Sequence, residues 1–299
     1  MTTVSRLIAS GFLEENVPLG PLTTYKAGGP ARLLATLESR THVRQLIATG
    51  LAAEYPVLVL GRGSNLVVSD RGFEGLVVRL GGAFTEISVA GLRVTAGAAA
   101  PLPKVARASV AAGVGGLEFL VGVPGSVGGA VRQNAGCFGA ETVDILASAE
   151  IADLTGGEPV DFPVSDLAMA YRASNVRSTQ LVLSATFEGV SGDARIGSDR
   201  MREITRWRKE NQPGGTFNAG SVFKNPPGLA AGEIIEGLGL KGLSVGDVSV
   251  SEKHANFFVA GPGASGDDIY ALVAKVKDTV FEATGTNLEP EIQFVGFTE

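Results

Sequence analysis

Residues 112–141, AGVGGLEFLVGVPGSVGGAVRQNAGCFGAE, constrain this chain more than any other stretch. Nine glycines and one proline interrupt every helical or strand-like period, yet before Glu141 only Glu118 and Arg132 carry charge. A segment this apolar does not lie free in water. Glycine at this density also costs chain entropy, and it is retained where backbone passes close to something else or takes positive φ. The pattern predicts a buried loop, packed either against another element or against a large flat or phosphorylated ligand.

With 299 residues, 44% of them hydrophobic, the chain is long enough for two domains or one large one with a full core. A net charge of −6 excludes broad affinity for nucleic acid or anionic membrane, so an anionic ligand has to be met by a few local cations. Cys137 is the single cysteine, which rules out an internal disulfide, and His42 and His254 beside it do not make a zinc site of ordinary spacing. A metal-free chain is expected. Residues 1–20 lack a basic region followed by an apolar run, and no 18 apolar residues follow one another, so neither signal peptide nor membrane span is expected and the location expected is cytoplasmic.

Residues 39–55 carry Val43, Leu46, Ile47 and Leu51 on one face, an amphipathic helix. The buried strand 57–60 then runs into Gly61-Arg62-Gly63-Ser64-Asn65, where turn N–H groups and short polar side chains suit a phosphate. The third glycine of the dinucleotide fingerprint is Leu66 here, and strand-like sequence follows, so a Rossmann unit is excluded; the loop serves equally well as a strand-connecting turn. Strands are expected at 73–80, 85–89, 92–96 and 181–187, a helix at 103–112, and a hairpin of 147–153 with 159–162 around Thr155-Gly156-Gly157. Ser165 is expected to cap a short helix ending near Tyr171-Arg172, and 189–198 reads as a linker. The charged helix 198–211 reads as a solvated face rather than an anion site. Helices at 229–238 and 265–284 and strands at 248–260 and 288–295 complete a second core. The class is α+β.

Six segments then combine in order: TTYKAGGPA from Thr23, GRGSNLVVSDRGFEG from Gly61, GLEFLVGVPGSVGGAVRQNAG from Gly116, AYRAS from Ala170, AGSVFKNP from Ala219 and LEPEI from Leu288. Together they resemble the UDP-N-acetylenolpyruvoylglucosamine reductase family over nearly the whole chain. The resemblance implies an FAD-binding domain of the vanillyl-alcohol oxidase type over 1–190, in two subdomains of roughly 1–80 and 81–190, and a substrate-binding domain over 199–299. It implies that NADPH reduces FAD and that the reduced flavin reduces UDP-N-acetylglucosamine enolpyruvate to UDP-N-acetylmuramate, with no nucleic acid, membrane or obligate protein partner.

By the family's motifs, Gly61, Arg62, Gly63, Ser64 and Asn65 hold the FAD pyrophosphate. Val123, Pro124, Gly125, Ser126, Gly128 and Gly129 pass along the flavin, with Ala130 and Asn134 also on the cofactor. Arg172 and Glu291 attend the developing charge on the substrate carboxylate, and Ser221 is the proton donor. Asn225 and Lys241 match substrate or nicotinamide contacts. The residues alone leave Arg172 as a cap or a partner of Asp166, Ser221 as a turn hydroxyl, and Glu291 as one of two surface carboxylates with Glu289. Gln293 stands where the family often has arginine, and Arg62 where glycine is common. The interval between Arg172 and Ser221 is too short for a tyrosine-bearing flap, which implies the shorter subgroup. A flavin oxidase of the same fold and a non-catalytic nucleotide-binding module are the rival readings; oxidases of this fold often tether FAD through histidine, and neither histidine lies in a flavin motif.

Overall fold

The computed structural model describes residues 2–297, so the outer ends of the two expected domains lie outside the described residues. The chain forms two compact units, Met1–Glu15 with Leu33–Gly61 and Gly75–Trp207, and Asn16–Arg32 with Arg62–Glu74 and Arg208–Glu299. This division departs from one at 190/199. Residues 16–32 and 62–74 go with the C-terminal part because Leu66–Val68 pairs in parallel with Gln293–Val295, and because Tyr25, Ala27 and Val67 share a core with Val222 and Phe223.

The first unit holds two cores. In one, Leu33, Ala35 and Leu37 of strand Pro30–Leu37 and Leu76 and Val78 of strand Phe73–Leu80 pack against Val43, Leu46 and Leu51. The helix expected at 39–55 is two, Arg40–Thr49 and Leu51–Glu54, because Gly50 adopts φ 72° and ends the first; Ser39 caps its start by accepting from the His42 N–H. In the other core, a five-stranded antiparallel sheet ordered Val160–Pro163, Leu146–Asp153, Gln180–Glu188, Arg93–Gly97, Ile87–Ala90 packs on helix Leu102–Ala111. The hairpin at Thr155-Gly156-Gly157 forms as expected.

The glycine-rich stretch is not the continuous loop that its composition predicts. It includes a 3-10 turn, Glu118–Gly122, and a helix, Val127–Gln133, whose Val127, Ala130 and Val131 are buried in the sheet's core. Tertiary hydrogen bonds override helix propensity here: Val127 and Gly128 donate their N–H groups to the carbonyls of Ala100 (3.1 Å) and Ala98 (2.9 Å). Two further expectations fail for local reasons. Ser165 caps no helix, since its hydroxyl turns to Asp166 and only a 3-10 turn, Val164–Leu167, forms. Residues 189–198 are not a linker, because Val190–Ser191 pairs with Val114–Gly115 and Asp193 accepts from the N–H groups of Arg195 and Ile196 to start helix Ala194–Asn211.

The second unit packs around helix Gly266–Thr284, begun by a reciprocal Ser265–Asp268 capping box. The strand expected over 248–260 is two, Val248–Val250 and Phe258–Ala260, because the Ser251 hydroxyl accepts from the N–H groups of Lys253 and His254 and turns the chain between them. That turn carries Asn256, 3% exposed. Its Oδ1 accepts from the Phe223 N–H (2.9 Å) and its Nδ2 donates to the Phe223 carbonyl (2.8 Å), so one side chain satisfies both backbone groups of a buried residue. Truncating it by Asn256→Ala leaves both unpaired. The expected loss is about 2–4 kcal/mol of folding stability, read as a lower midpoint in denaturant unfolding; an unchanged midpoint would show that water replaces the amide without loss.

Candidate functional site

In the first unit, strand Val57–Val59 delivers Gly61 to the start of helix Val127–Gln133. Ser126 occupies the N-cap position in extended conformation, but its side chain caps no N–H group. Its Oγ lies 2.7 Å from where a Cβ on Gly61 would stand. Gly129 is exposed, and a Cβ there would meet only the Ser126 Oγ, at 3.7 Å. The protein's own packing therefore makes no demand for glycine at 129. Gly61, Ser126 and Gly129 leave a face with almost no side-chain relief, which fits a flat ligand lying close to backbone.

The remaining residues of this group frame that face. Gly125 accepts from the Leu102 N–H (3.2 Å), Gly128 is held against Ala98, and Val123 donates to the Leu120 carbonyl. Pro124 is exposed, while the Ala130 methyl is buried in the core. Asn134, fully buried, ends the helix at φ 42° with its carboxamide committed: Nδ2 donates to Glu141 Oε2 (2.9 Å) and to the Ala170 carbonyl (3.0 Å), and Oδ1 accepts from the Val143 N–H (2.9 Å).

Arg172 also belongs to this unit. It sits at φ 56° in the turn closed by reciprocal backbone bonds between Ala170 and Ala173. Its guanidinium, 16% exposed, donates to Glu141 Oε1 at 3.1 Å and to the Gly136 carbonyl at 3.3 Å, so its carboxylate partner is Glu141 rather than Asp166. Its Cζ lies 4.8 Å from the centre of the Tyr171 ring.

The second unit holds Arg62, Gly63, Ser64 and Asn65 together with Ser221 and Glu291. Arg62 is exposed and Ser64 half-buried, and Gly63 accepts from the Thr24 N–H (3.0 Å). Asn65 donates its Nδ2 to the Glu291 carbonyl (3.0 Å), and its own carbonyl accepts from the Gln293 N–H (2.9 Å). Ser221 is half-buried opposite Phe257, and no protein group takes up its hydroxyl among the described residues. Val222, next to it, accepts from the Glu291 N–H (2.8 Å) and donates to the Asn256 carbonyl (2.9 Å). Ser221 and Glu291 are thus fixed on neighbouring segments by one peptide unit. Glu289 is a different case, its carboxylate held by Lys224 at 2.6 Å.

Asn225 and Lys241 are both engaged. The Asn225 Oδ1 accepts from the Ala231 N–H (3.1 Å) at the start of helix Ala231–Gly237, and Lys241 pairs with Glu236 at 2.6 Å. Beside that pair lies His254, whose Nδ1 accepts from the Asn256 N–H (3.2 Å). Burial holds its imidazole below the ordinary histidine pKa, and the charge of Lys241 adds to this against the opposing pull of Glu236. Two residues of these sites, Glu141 and Asn256, have no signal in the sequence: one ends a charge-poor stretch, the other is a lone amide in an apolar run.

Comparison with known proteins matches residues 31–162 to an FAD binding domain and residues 212–295 to the C-terminal domain of UDP-N-acetylenolpyruvoylglucosamine reductase. The chain is similar to the UDP-N-acetylenolpyruvoylglucosamine reductases of Azorhizobium caulinodans (40% identical, 96% of this chain and 92% of the relative) and Paramagnetospirillum magneticum (42%, 96% and 92%). It is also similar to the solved structure of the Thermus caldophilus UDP-N-acetylenolpyruvylglucosamine reductase, with 36% identity, a TM-score of 0.84, and coverage of 95% of this chain and 100% of that one. The α+β class with an FAD-binding domain stands with these matches.

His254 yields a pH prediction. A folded pKa below the unfolded value makes the folded chain resist a proton that the unfolded chain accepts, so this stabilising contribution is present above the unfolded pKa and lost as pH falls through the folded one. His254→Asn, whose Oδ1 can take the place of Nδ1 as acceptor, is expected to lose less thermal stability than the parent as pH is lowered from 7 towards 5. Thermal midpoints across that range check it, and parallel slopes would count against the assignment.

Proposed function

The chain belongs to the UDP-N-acetylenolpyruvoylglucosamine reductase family, and from that premise we propose how its residues reduce UDP-N-acetylenolpyruvoylglucosamine to UDP-N-acetylmuramate in peptidoglycan synthesis. Bound FAD would supply the redox chemistry that links NADPH oxidation to reduction of the enol ether of the substrate.

The bare face at Ser126 and Gly129 would hold the flavin ring, with Val123, Pro124, Gly125, Gly128, Ala130 and Asn134 keeping that loop in place, and Gly61 would belong with the loop that meets the pyrophosphate. Arg62, Gly63, Ser64 and Asn65 offer charge, N–H groups and a hydroxyl to the pyrophosphate. The FAD-binding part is residues 1–190 and the substrate-binding part residues 199–299, a division that the family models over 31–162 and 212–295 support.

Reduction of the enol ether places negative charge on the carbon beside the substrate carboxylate. Arg172 presents a planar fork to that carboxylate and stabilises the charge as it spreads onto the oxygens. Ser221 delivers the proton. A serine hydroxyl is a poor acid towards most groups, but a carbanion-like carbon is basic enough to take its proton. Glu291 contributes as a hydrogen-bonding group beside the intermediate, since a bare second anion would oppose the step. Asn225 and Lys241 serve as outer contacts to the substrate or to NADPH.

The observation that carries the reading is relatedness along 96% of the chain, with the Ser221 hydroxyl uncommitted among the described residues next to the peptide unit that anchors Glu291. The work is cytoplasmic, where NADPH and sugar nucleotides are held, and it calls for no nucleic acid, membrane or obligate protein partner; among the described residues no helix is long and apolar enough to cross a membrane.

Ser221→Ala separates the two halves of the reaction. NADPH is expected to bleach the flavin at the parental rate, while reoxidation by the enolpyruvyl sugar nucleotide slows about 10²–10⁴-fold in stopped-flow absorbance. Unchanged reoxidation would remove Ser221 from its assigned role.

A further inference from the structure

We propose that Glu141 is a positioning residue for Arg172, fixing the plane of its guanidinium for the substrate carboxylate; this rests on the role given to Arg172 above. Residues 136–141 form a short hairpin, Gly136 opposite Glu141 and Cys137 opposite Ala140. The two-residue turn between them, Phe138-Gly139, has φ 55° and 80°, the pattern whose twist matches paired strands and fixes their register. That register sets the Glu141 carboxylate and the Gly136 carbonyl side by side. Arg172 donates to both, one terminal nitrogen to each.

The carboxylate that receives Arg172 is itself held. Asn134 donates to its second oxygen at 2.9 Å, and the Asp144 N–H points to the same side chain in a reciprocal capping box, with the Glu141 N–H donating to Asp144 at 2.8 Å. Asn134 also holds the Ala170 carbonyl, in the turn that carries Arg172. One buried amide therefore sets the spacing between the turn that bears the cation and the carboxylate that orients it.

Two effects oppose each other when the Glu141 charge is removed. The field of Arg172 at the substrate rises, because a neutralising neighbour is gone. Its orientation is lost, because an amide at 141 has one acceptor instead of two and turns an NH₂ group towards donors of Asn134 or Arg172. With side-chain exposures of 16% and 30% for the pair, the charge-assisted bonds are only partly screened and roughly twice as strong as neutral ones, so loss of orientation wins.

The test is a double-mutant cycle on the FAD-loaded protein with Glu141→Gln, Arg172→Ala and the pair together, in the parental chain and each variant. Glu141→Gln is expected to leave NADPH bleaching unchanged, to slow reoxidation by the enolpyruvyl sugar nucleotide about tenfold or more, and to weaken binding of that substrate to the oxidised protein in calorimetry. In the Arg172→Ala background the same substitution should add less than about twofold, since its effect passes through the guanidinium. Equal losses in both backgrounds, or no loss in either, overturn the inference. If Glu141→Gln does not fold, Glu141→Asp carries the same cycle, its retained but shortened carboxylate giving a smaller loss that also vanishes with Arg172→Ala. A parental protein that NADPH bleaches but the sugar nucleotide cannot reoxidise refutes the assigned reaction itself, an outcome distinct from a cycle that shows no coupling.

Discussion

The residues to which the chemistry is assigned lie on irregular backbone, and buried backbone outside a ladder must find its partners elsewhere. Two asparagine carboxamides supply them. A primary amide has the donor and acceptor of a peptide unit at the end of a short stem, so it can pair with backbone where no strand can reach. Asn256 closes both backbone groups of Phe223, two residues from Ser221, and Asn134 links Val143, Glu141 and Ala170, two residues from Arg172. Each amide fixes a loop without adding bulk to it. The backbone of those loops is thus satisfied by a side chain from elsewhere in the chain rather than by a ladder.

The same logic explains what the sequence could and could not disclose. Periodic elements were legible because burial imposes their period: Ile269, Leu272, Val273, Val276 and Val280 mark helix Gly266–Thr284, and the strand at 73–80 matches its expected bounds. The glycine-rich stretch read as loop because glycine is a poor helix former, and yet Val127–Gln133 is helical, since the carbonyls of Ala98 and Ala100 hold its first turn. Those carbonyls come from a segment about thirty residues away, a relation that local propensity does not contain. The strand expected over 248–260 is divided where the polar run Ser251-Glu252-Lys253-His254 interrupts its apolar residues, and the Ser251 hydroxyl turns the chain there by accepting from the N–H groups of Lys253 and His254. Ser221, Arg172 and Glu291 are singled out only by the family's motifs. Glu141 and Asn256 act through partners 31 and 33 residues away in the chain, and neither residue type nor spacing marks them.

Charge is handled sparingly. The chain is acidic overall, so a dianionic sugar nucleotide with a further carboxylate gains nothing from the general field of the protein and must be held by individual cations. Several of the chain's cations are paired: Lys224 with Glu289, Lys241 with Glu236, Arg172 with Glu141. An ion pair lowers the attraction each cation exerts on a ligand, but it also removes the entropy of a long flexible side chain before the ligand arrives. For a step that needs a carboxylate held in one plane, a pre-ordered cation of reduced field is worth more than a mobile one of full field.

Backbone strain follows the same distribution. Six non-glycine residues have positive φ among the described residues, and four of them, Asn134, Phe138, Ala168 and Arg172, fall between positions 134 and 172. Each costs on the order of 1 kcal/mol relative to glycine in the same conformation. At 134 and 172 glycine would relax the backbone and remove the group on which the local structure turns, the amide hub in one case and the guanidinium in the other. Strain at these two positions accompanies the placement of those groups, because a left-handed backbone aims a side chain where a relaxed one cannot, and surrounding hydrogen bonds, among them those from Asn134 to Ala170 and from Arg172 to Gly136 and Glu141, help to keep it there.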